Sequence, residues 1–297
     1  MSSTIARREH RVETTDGRTL RVLDDGDASG VPVVYHHGTP GCAGPEPTML
    51  EQAMTLGIRL ISYDRPGYGA SSRLPGRRYG DCVGDVATMA DHLGIERFGS
   101  FGVSGGGPHT LACAALLGDR VTASVSSGSP APFDADGLDW GEGMGDLNAD
   151  EIAIAARGYD ALYEHIAGIR EELLASTPEQ GKELMASLLS PVDRDALTDE
   201  LTSHMHANAM EALAPGAEGW TDESLAEFAP WGFDLETIAV PVQIWHGDQD
   251  RFVPVGHARW LAAQIPGAEP RIFPDEGHIS LVEKSVGEML GWLVERA

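Results

Sequence analysis

Short apolar runs that end at Asp, Gly or Pro alternate with longer amphipathic stretches along most of the chain. Such runs are typical of buried strands, and apolar residues at helical spacing are typical of helices. The pattern predicts strands at 18–23, 31–36, 59–63, 98–103, 121–127, 240–246 and 271–273, and helices at about 48–56, 81–93, 106–117, 256–264 and 281–295. Strands that alternate with helices favour an α/β fold with a mostly parallel sheet.

The alternation stops between residues 132 and 232, where no strand pattern is found. An acidic, glycine-rich stretch at 134–150 leads into helical segments near 151–175, 182–189 and 193–213. Because strands resume afterwards, we interpret this region as a helical unit inserted into one sheet. The predicted organisation is a core formed by 1–131 and 233–297, with the insertion at 132–232.

The charge of the chain limits its partners. Its 297 residues contain 21 Lys and Arg against 46 Asp and Glu, a formal net charge of −25. A protein this acidic repels phosphate backbones and anionic lipid surfaces, so we expect a small-molecule substrate rather than nucleic acid or a membrane. No stretch reaches the roughly 18 apolar residues of a membrane-spanning helix, and the amino terminus has no apolar signal segment.

The three cysteines, Cys42, Cys82 and Cys113, form an odd count without close pairing. This usage is more typical of a reducing compartment than of a disulfide framework, so we predict a cytoplasmic protein. Cys42 has no evident base beside it, and we interpret it as a small packed residue rather than a reactive thiol. The sequence leaves the oligomeric state open.

A serine lies in a sharp turn between a predicted strand and the helix that follows. Gly102-Val103-Ser104-Gly105-Gly106 matches G-x-S-x-G, a turn that exposes a serine hydroxyl at the carboxyl edge of a sheet. The motif is short, and its weight comes from the strand before it and the helix after it. Ser104 is therefore the predicted nucleophile.

A serine hydroxyl needs a general base, and the base needs a carboxylate that orients it. His278 follows the last predicted strand, and we expect it on a loop at the same edge of the sheet. Asp250 lies further into the preceding loop than Asp248 and is the preferred acid, while Asp248 is expected to shape the turn. A weaker alternative is a carboxylate where the chain enters the insertion, at Asp134 or Asp136.

Acyl transfer also needs hydrogen-bond donors for the oxyanion. The backbone N–H of Gly105 follows the nucleophile and is the first expected donor. The second is expected in the loop at 37–41, where Thr39 has a free N–H. We interpret His36 and His37 as hydrogen-bonding residues of this turn rather than as bases.

We expect neither a metal nor an organic cofactor. His204 and His206 alternate along a predicted helix and therefore point to different faces. No cluster of cysteines or carboxylates accompanies them in the sequence. We interpret both as residues of the helical insertion.

Together, these segments resemble the α/β-hydrolase superfamily. The resemblance rests on the chain order Ser104, Asp250, His278 and on the segments at 37–41, 64–71, 102–106, 246–250 and 277–278. It extends from about Val12 to the end of the chain. It implies an α/β-hydrolase fold with a mostly parallel sheet of about eight strands and a helical cap at the insertion. The same triad and oxyanion roles follow, and the turn at 64–71 is given a supporting role.

The substrate pocket is expected between the core loops and the cap. Its candidate lining residues are the large apolar side chains Trp140, Met144, Trp220, Phe228, Trp231, Phe252 and Ile279. An apolar lining favours a hydrophobic acyl or ring group. The leading prediction is a serine hydrolase that cleaves a small ester or lactone through an acyl-enzyme on Ser104.

The resemblance leaves two other functions open, because one fold hosts many activities. Proline iminopeptidases have a similar turn and an acidic cap that binds a substrate ammonium, and acidic residues are present here at Glu142, Asp146, Asp150 and Glu151. Thr39 stands where those enzymes usually have glycine, which weakens that assignment. A triad-bearing small-molecule receptor with slow or absent turnover is the other alternative. Dehalogenases and epoxide hydrolases of this fold have aspartate where this chain has Ser104, and they are set aside.

Overall fold

The computed structural model describes residues 7–297. Residues 1–6, which belong to the amino-terminal segment where no signal sequence is predicted, lie outside this range. The strands of this range are β1 (Arg7–Glu13), β2 (Thr19–Asp25), β3 (Val31–His36), β4 (Ile58–Tyr63), β5 (Phe98–Val103), β6 (Val121–Ser127), β7 (Val242–Gly247) and β8 (Glu269–Phe273). Its α-helices are α1 (Pro47–Thr55), α2 (Cys82–His92), α3 (Gly107–Leu116), α4 (Asp146–Ala155), α5 (Tyr159–Leu174), α6 (Pro178–Leu184), α7 (Pro191–Ala196), α8 (Asp199–Ala212), α9 (Glu218–Glu227), α10 (Gly256–Gln264) and α11 (His278–Val294). None of these helices has the length and apolar character that a bilayer crossing requires.

The strands form one eight-stranded sheet in the order β1-β2-β4-β3-β5-β6-β7-β8. β2 pairs antiparallel with β1 and with β4, and the other neighbouring strands are parallel. The predicted mostly parallel α/β sheet of about eight strands is therefore confirmed. In a parallel sheet the carboxyl ends of the strands meet at one edge, and the loops after β5, β7 and β8 lie together there.

Both faces of the sheet are covered by helices. On β3, Val33 and Tyr35 pack with α1 and α11, while Val34 between them packs with α2 and α3 on the opposite face. Successive residues of a strand point to opposite faces, so a strand that is buried on both sides reads as a continuous apolar run. This explains why the central strands were predictable.

Helices α4 to α9 all lie between β6 and β7, in the region that the sequence predicts to be inserted. The three helices predicted here are divided or displaced, and α6 ends at Leu184 where the predicted segment is 182–189. Gly158, with φ +96°, separates α4 from α5 within the predicted helix at 151–175. A glycine in this conformation ends a helix without strain because it has no Cβ. The predicted helix at 193–213 is likewise divided into α7 and α8, with Thr198 capping the second.

Two elements were absent from the prediction. Strand β1 is mainly charged, and its Arg7 and Arg8 pair with Asp25 and Asp24 of β2. Helix α9 buries a polar stretch rather than an apolar face. Neither segment has the hydrophobic period by which strands and helices are recognised in a sequence.

Candidate active site

Ser104 lies directly after β5, at the carboxyl edge of the sheet. Its φ is +55°, and it is the only non-glycine residue of the range 7–297 with a positive φ. Such a conformation is costly for a residue with a Cβ and is concentrated at functional turns. Gly106 permits the turn, because a Cβ there would clash with the backbone oxygen of His36. The serine is partly exposed and lines a cavity.

The structure brings Asp250 and His278 together. His278 Nδ1 donates to Asp250 Oδ2 over 2.6 Å, a short distance typical of a charge-assisted hydrogen bond. The second oxygen, Oδ1, accepts from the N–H groups of Phe252 at 2.8 Å and Val253 at 2.9 Å. These bonds fix the carboxylate in one orientation. With Nδ1 donating, Nε2 is the nitrogen left to accept a proton from a reacting group.

The three alternative acids lie elsewhere. Asp248 is paired with Arg259 at 2.8 Å, and 43% of its side chain is exposed. Asp134 and Asp136 are exposed on the surface. Of the candidate acids, Asp250 is therefore the one whose carboxylate is bonded to the imidazole of His278, and the others lie away from the ring.

His278 is the first residue of α11, not part of a loop as predicted. Its ring stacks on Phe252, with 4.6 Å between the ring centroids and 20° between the planes. It lines the same cavity as Ser104. Burial lowers the pKa of the imidazole, but the carboxylates of Asp250 and Asp193 outweigh burial, so the pKa lies above its ordinary value.

The loop at 37–41 packs against the residue that follows the serine. A Cβ on Gly105 would clash with Oγ1 of Thr39, so the two expected oxyanion donors belong to backbone segments in close contact. Both residues line the cavity. His37 stabilises the loop: Nδ1 donates to the oxygen of Gly38 at 2.7 Å, and Nε2 accepts from the N–H of Arg65 at 3.2 Å.

Arg65 is a site residue whose importance sequence analysis missed. It belongs to the turn at 64–71 and is fully buried. Its guanidinium donates to the oxygens of His37 and Gly38 and to Oγ1 of Thr39, the last at 2.9 Å. It thus binds the loop through three acceptors. Bidentate and forked geometry of this kind is a property of arginine.

A carboxylate of the cap compensates this buried charge. Glu223 of α9 accepts from Arg65 Nε at 3.1 Å, from Arg77 at 2.6 Å and from His109 at 2.9 Å. Burial raises the pKa of Glu223, but the two guanidinium groups and the histidine outweigh it and hold the pKa well below its usual range. Glu223 is therefore a buried anion that joins the cap to the loop beside the serine.

The cavity shared by Ser104 and His278 has a volume of about 360 Å³ and lies between the core loops and the cap helices. Six of the predicted apolar residues line it: Trp140, Met144, Trp220, Phe228, Phe252 and Ile279. Trp231 does not, and that prediction is corrected. Its indole packs edge-on against Tyr79 and beside Phe233 in the core.

The cavity also contains carboxylates that the sequence pattern does not distinguish from surface residues. Glu151 of α4 and Glu227 of α9 both line it. Burial raises the pKa of Glu151. Burial, together with the charges of Glu151 and Glu223, raises the pKa of Glu227 to about 8. Asp146, Asp150 and Glu142, which belong to the same acidic stretch as Glu151, are exposed.

The remaining candidates have structural contacts. Cys42 is buried, burial raises the pKa of its thiol to about 12, and its Sγ lies 3.6 Å from the oxygen of Asn208. His204 and His206 both line the cavity from α8, and His206 Nε2 lies 3.1 Å from Ser176 Oγ. In residues 7–297, no three His, Cys, Asp or Glu side chains come together in a group that would hold a metal ion.

Comparison with known proteins identifies the family of the chain. A model of the alpha/beta hydrolase fold family matches residues 31–285. A non-heme haloperoxidase from Rhodococcus erythropolis is 24% identical over 278 residues, which cover 90% of this chain and 92% of that protein. A bromoperoxidase from Bacillus anthracis is similar in structure, with a TM-score of 0.73 at 20% identity, over 97% of this chain and 100% of that one. An esterase from Exiguobacterium antarcticum gives a TM-score of 0.71 at 21% identity over the same shares of the two chains. Because the family model covers most of its length, this chain belongs to the alpha/beta hydrolase fold family.

Proposed function

We propose that this protein is a serine hydrolase that cleaves a small hydrophobic ester or lactone. The observation that carries the proposal is the placement of Ser104. This serine has a strained backbone at a strand end and shares a cavity with His278, whose Nδ1 is hydrogen-bonded to Asp250 at 2.6 Å. A nucleophile, a base and an orienting acid are the three parts that acyl transfer to a serine requires.

The reaction follows from these roles. His278 Nε2 takes the proton of Ser104 as Oγ bonds to the carbonyl carbon of the substrate, and the carbonyl oxygen becomes negative. The N–H groups of Gly105 and Thr39 stabilise that oxyanion. The imidazolium then gives its proton to the leaving alcohol, whose C–O bond breaks, and the acyl group remains on Ser104. In the second half, His278 takes a proton from water, whose oxygen bonds to the acyl carbon. The bond from that carbon to Ser104 Oγ then breaks, Oγ takes the proton back from His278, and the carboxylic acid is released.

The apolar lining of the cavity supports a substrate with an apolar acyl or ring group. Trp140, Phe228 and Met144 line it, and the rings of Trp140 and Phe228 are 5.8 Å apart. A cavity of about 360 Å³ suits a small molecule. Burial of an apolar group against these rings supplies roughly 25 cal/mol for each Å² removed from water.

A second candidate is an aminopeptidase that uses the same three residues. The observation in its favour is that Glu151 and Glu227 line the cavity. A substrate ammonium between them would compensate their mutual repulsion and return the pKa of Glu227 from about 8 toward its ordinary range. The apolar residues around the cavity and Thr39 in the oxyanion loop favour the ester hydrolase.

The test is labelling with a fluorophosphonate probe followed by turnover assays. The proposed function predicts that the probe modifies Ser104 and that Ser104→Ala abolishes both labelling and hydrolysis of p-nitrophenyl esters. Ser29→Ala, at an exposed serine, is the control and should match the wild type. Faster cleavage of aminoacyl-naphthylamides than of any ester would select the aminopeptidase. A folded protein whose Ser104 fails to react would instead indicate the small-molecule receptor.

A further inference from the structure

The carboxylate of Asp193 connects the cap to the start of the helix that carries His278. Asp193 lies in α7 and is completely buried. Its Oδ1 accepts from the N–H groups of Ile279 at 2.8 Å and Ser280 at 3.0 Å, and its Oδ2 accepts from the N–H of His278 at 3.2 Å. These are the first three N–H groups of α11, and such groups have no acceptor within their own helix.

This contact is a helix cap supplied from a distant part of the chain. An N-cap side chain normally precedes its helix directly, but the residue before α11 is Gly277. Asp193 lies 85 residues before His278. A Cβ at Gly277 would clash with the Asp193 carboxylate, so the glycine leaves the space into which the carboxylate fits.

The carboxylate is also held on the cap side. Ser190 Oγ donates to Asp193 Oδ2 at 2.7 Å, so both oxygens have two donors each. Ile279, whose N–H donates to Asp193, belongs to an apolar cluster with Leu189, Leu197 and Leu201 of the cap. Phe252, which stacks on the His278 ring, packs against this cluster. The surroundings of Asp193 and those of the imidazole are therefore one packed unit.

We propose that Asp193 is a positioning residue for the base. Its carboxylate fixes the start of α11, and with it the His278 imidazole, in the orientation that proton transfer from Ser104 requires. The inference rests on the proposed function, in which His278 is the base. It also makes the cap part of the catalytic geometry, since α7 must be docked for the helix to be capped.

The charges around His278 give this role a measurable signature. Asp250 accepts from the imidazole in the loop after β7, Asp193 of α7 accepts from the backbone N–H of the same residue, and His246 of β7 lies 3.4 Å from Asp250. Burial lowers the pKa of His278, and the two carboxylates outweigh it. Loss of the Asp193 charge should therefore lower the pKa of His278. Without this carboxylate, the partial positive charge at the start of α11 lies uncompensated beside the imidazole.

The first variant is Asp193→Asn. Its amide oxygen can replace Oδ1, but its NH₂ group cannot accept from the N–H of His278. We expect kcat for a p-nitrophenyl ester to fall about tenfold or more with KM changed less than about twofold, since a small misplacement of a catalytic group lowers the rate strongly. The acidic limb of the kcat profile should move to lower pH by about half a unit or more. Asp195→Asn, at an exposed aspartate of the same helix, is the control and should match the wild type.

A second variant and a second measurement separate this inference from the proposed function. Gly277→Ala pushes the carboxylate away from the helix start and decides the question if Asp193→Asn does not fold. The titration midpoint of the His278 Cε1–H signal, assigned by its loss in His278→Gln, is measured by NMR without any turnover. Absence of ester hydrolysis in the wild type would refute the proposed function alone. A folded Asp193→Asn or Gly277→Ala protein with the His278 midpoint and pH profile of Asp195→Asn would overturn the role of Asp193.

Discussion

Arg65 of the core and Glu223 of the cap form a buried ion pair, with 2.9 Å between Nη2 of the guanidinium and Oε1 of the carboxylate. The same guanidinium donates to the carbonyl oxygens of His37 and Gly38 and to Oγ1 of Thr39. The pair therefore connects α9 to the loop that carries a proposed oxyanion donor. Together with the contact between Asp193 and α11, it ties both sides of the site to the cap.

Replacement of Glu223 by glutamine should destabilise the fold strongly. Arg65 and Arg77 would then be buried without a counter-charge, and breaking a buried pair in this way costs roughly 3–5 kcal/mol. Urea denaturation would measure the loss in the free energy of unfolding. The control is Glu211→Gln, which removes a half-exposed partner of Arg21 and should cost about 1 kcal/mol or less. Equal losses in the two variants would show that the buried pair contributes no more to the free energy of unfolding than the half-exposed one.

The two aspartates after β7 should differ sharply in their effect on the rate. Asp250→Asn removes the carboxylate bonded to His278 and should lower kcat by about three orders of magnitude. The imidazole is then no longer held in the tautomer with Nε2 as acceptor, and the imidazolium lacks a counter-charge. Asp248→Asn removes only an exposed pair with Arg259 and should change kcat less than about twofold. Steady-state kinetics on one ester would give the ranking, and the reverse order would reassign the acid to Asp248.

Much of the core was predictable because its strands are buried on both faces. The observed strands Val31–His36, Phe98–Val103 and Val121–Ser127 have the predicted bounds. Each is a run that begins after a breaker or a charged residue and ends where the chain must turn. The position of Ser104 between a strand and a helix was predictable for the same reason, since a G-x-S-x-G turn is informative only in that setting.

The parts that were missed depend on partners far away in the chain. Helix α11 begins at His278 rather than near 281 because Asp193 caps it, and no neighbouring residue signals that cap. Helix α9 has no apolar face because its buried side includes Asp222 and Glu223, which are neutralised by arginines of the core. The start of α11 and the polar buried side of α9 thus depend on contacts between the cap and the core. The spacing of apolar residues along the sequence does not reveal such contacts.

A methyl group at Gly105 should disturb the proposed oxyanion hole. In Gly105→Ala the new Cβ would clash with Oγ1 of Thr39, so the loop has to move away from the serine. We expect a decrease in kcat of about 100-fold, the usual cost of losing one oxyanion donor. The unfolding temperature should stay close to that of the wild type, because the substitution affects the loop and not the core.

Removal of the Thr39 side chain provides the control. Thr39→Gly keeps the N–H donor and vacates the space, so the Gly105→Ala, Thr39→Gly double variant should recover a large part of the lost rate. A double-mutant cycle on kcat measures this coupling. Additive losses in the two single variants would contradict direct packing between these residues as the cause.

The carboxyl of Glu227 should make stability depend on pH in an unusual direction. Its pKa is raised from 4.5 to about 8 by burial and by the charges of Glu151 and Glu223. Between about pH 4.5 and 8 the folded protein keeps a proton that the unfolded chain has lost, so the contribution of this group to the free energy of unfolding decreases as pH rises. Glu227→Gln removes that dependence.

The Glu227→Gln variant should unfold at a higher temperature than the wild type at pH 8, and the difference should shrink toward pH 5. Glu236→Gln, at an exposed glutamate, should leave the difference near zero at both values. A constant difference between Glu227→Gln and the wild type across this range would mean that Glu227 titrates normally and that the cavity does not hold a protonated carboxyl at neutral pH.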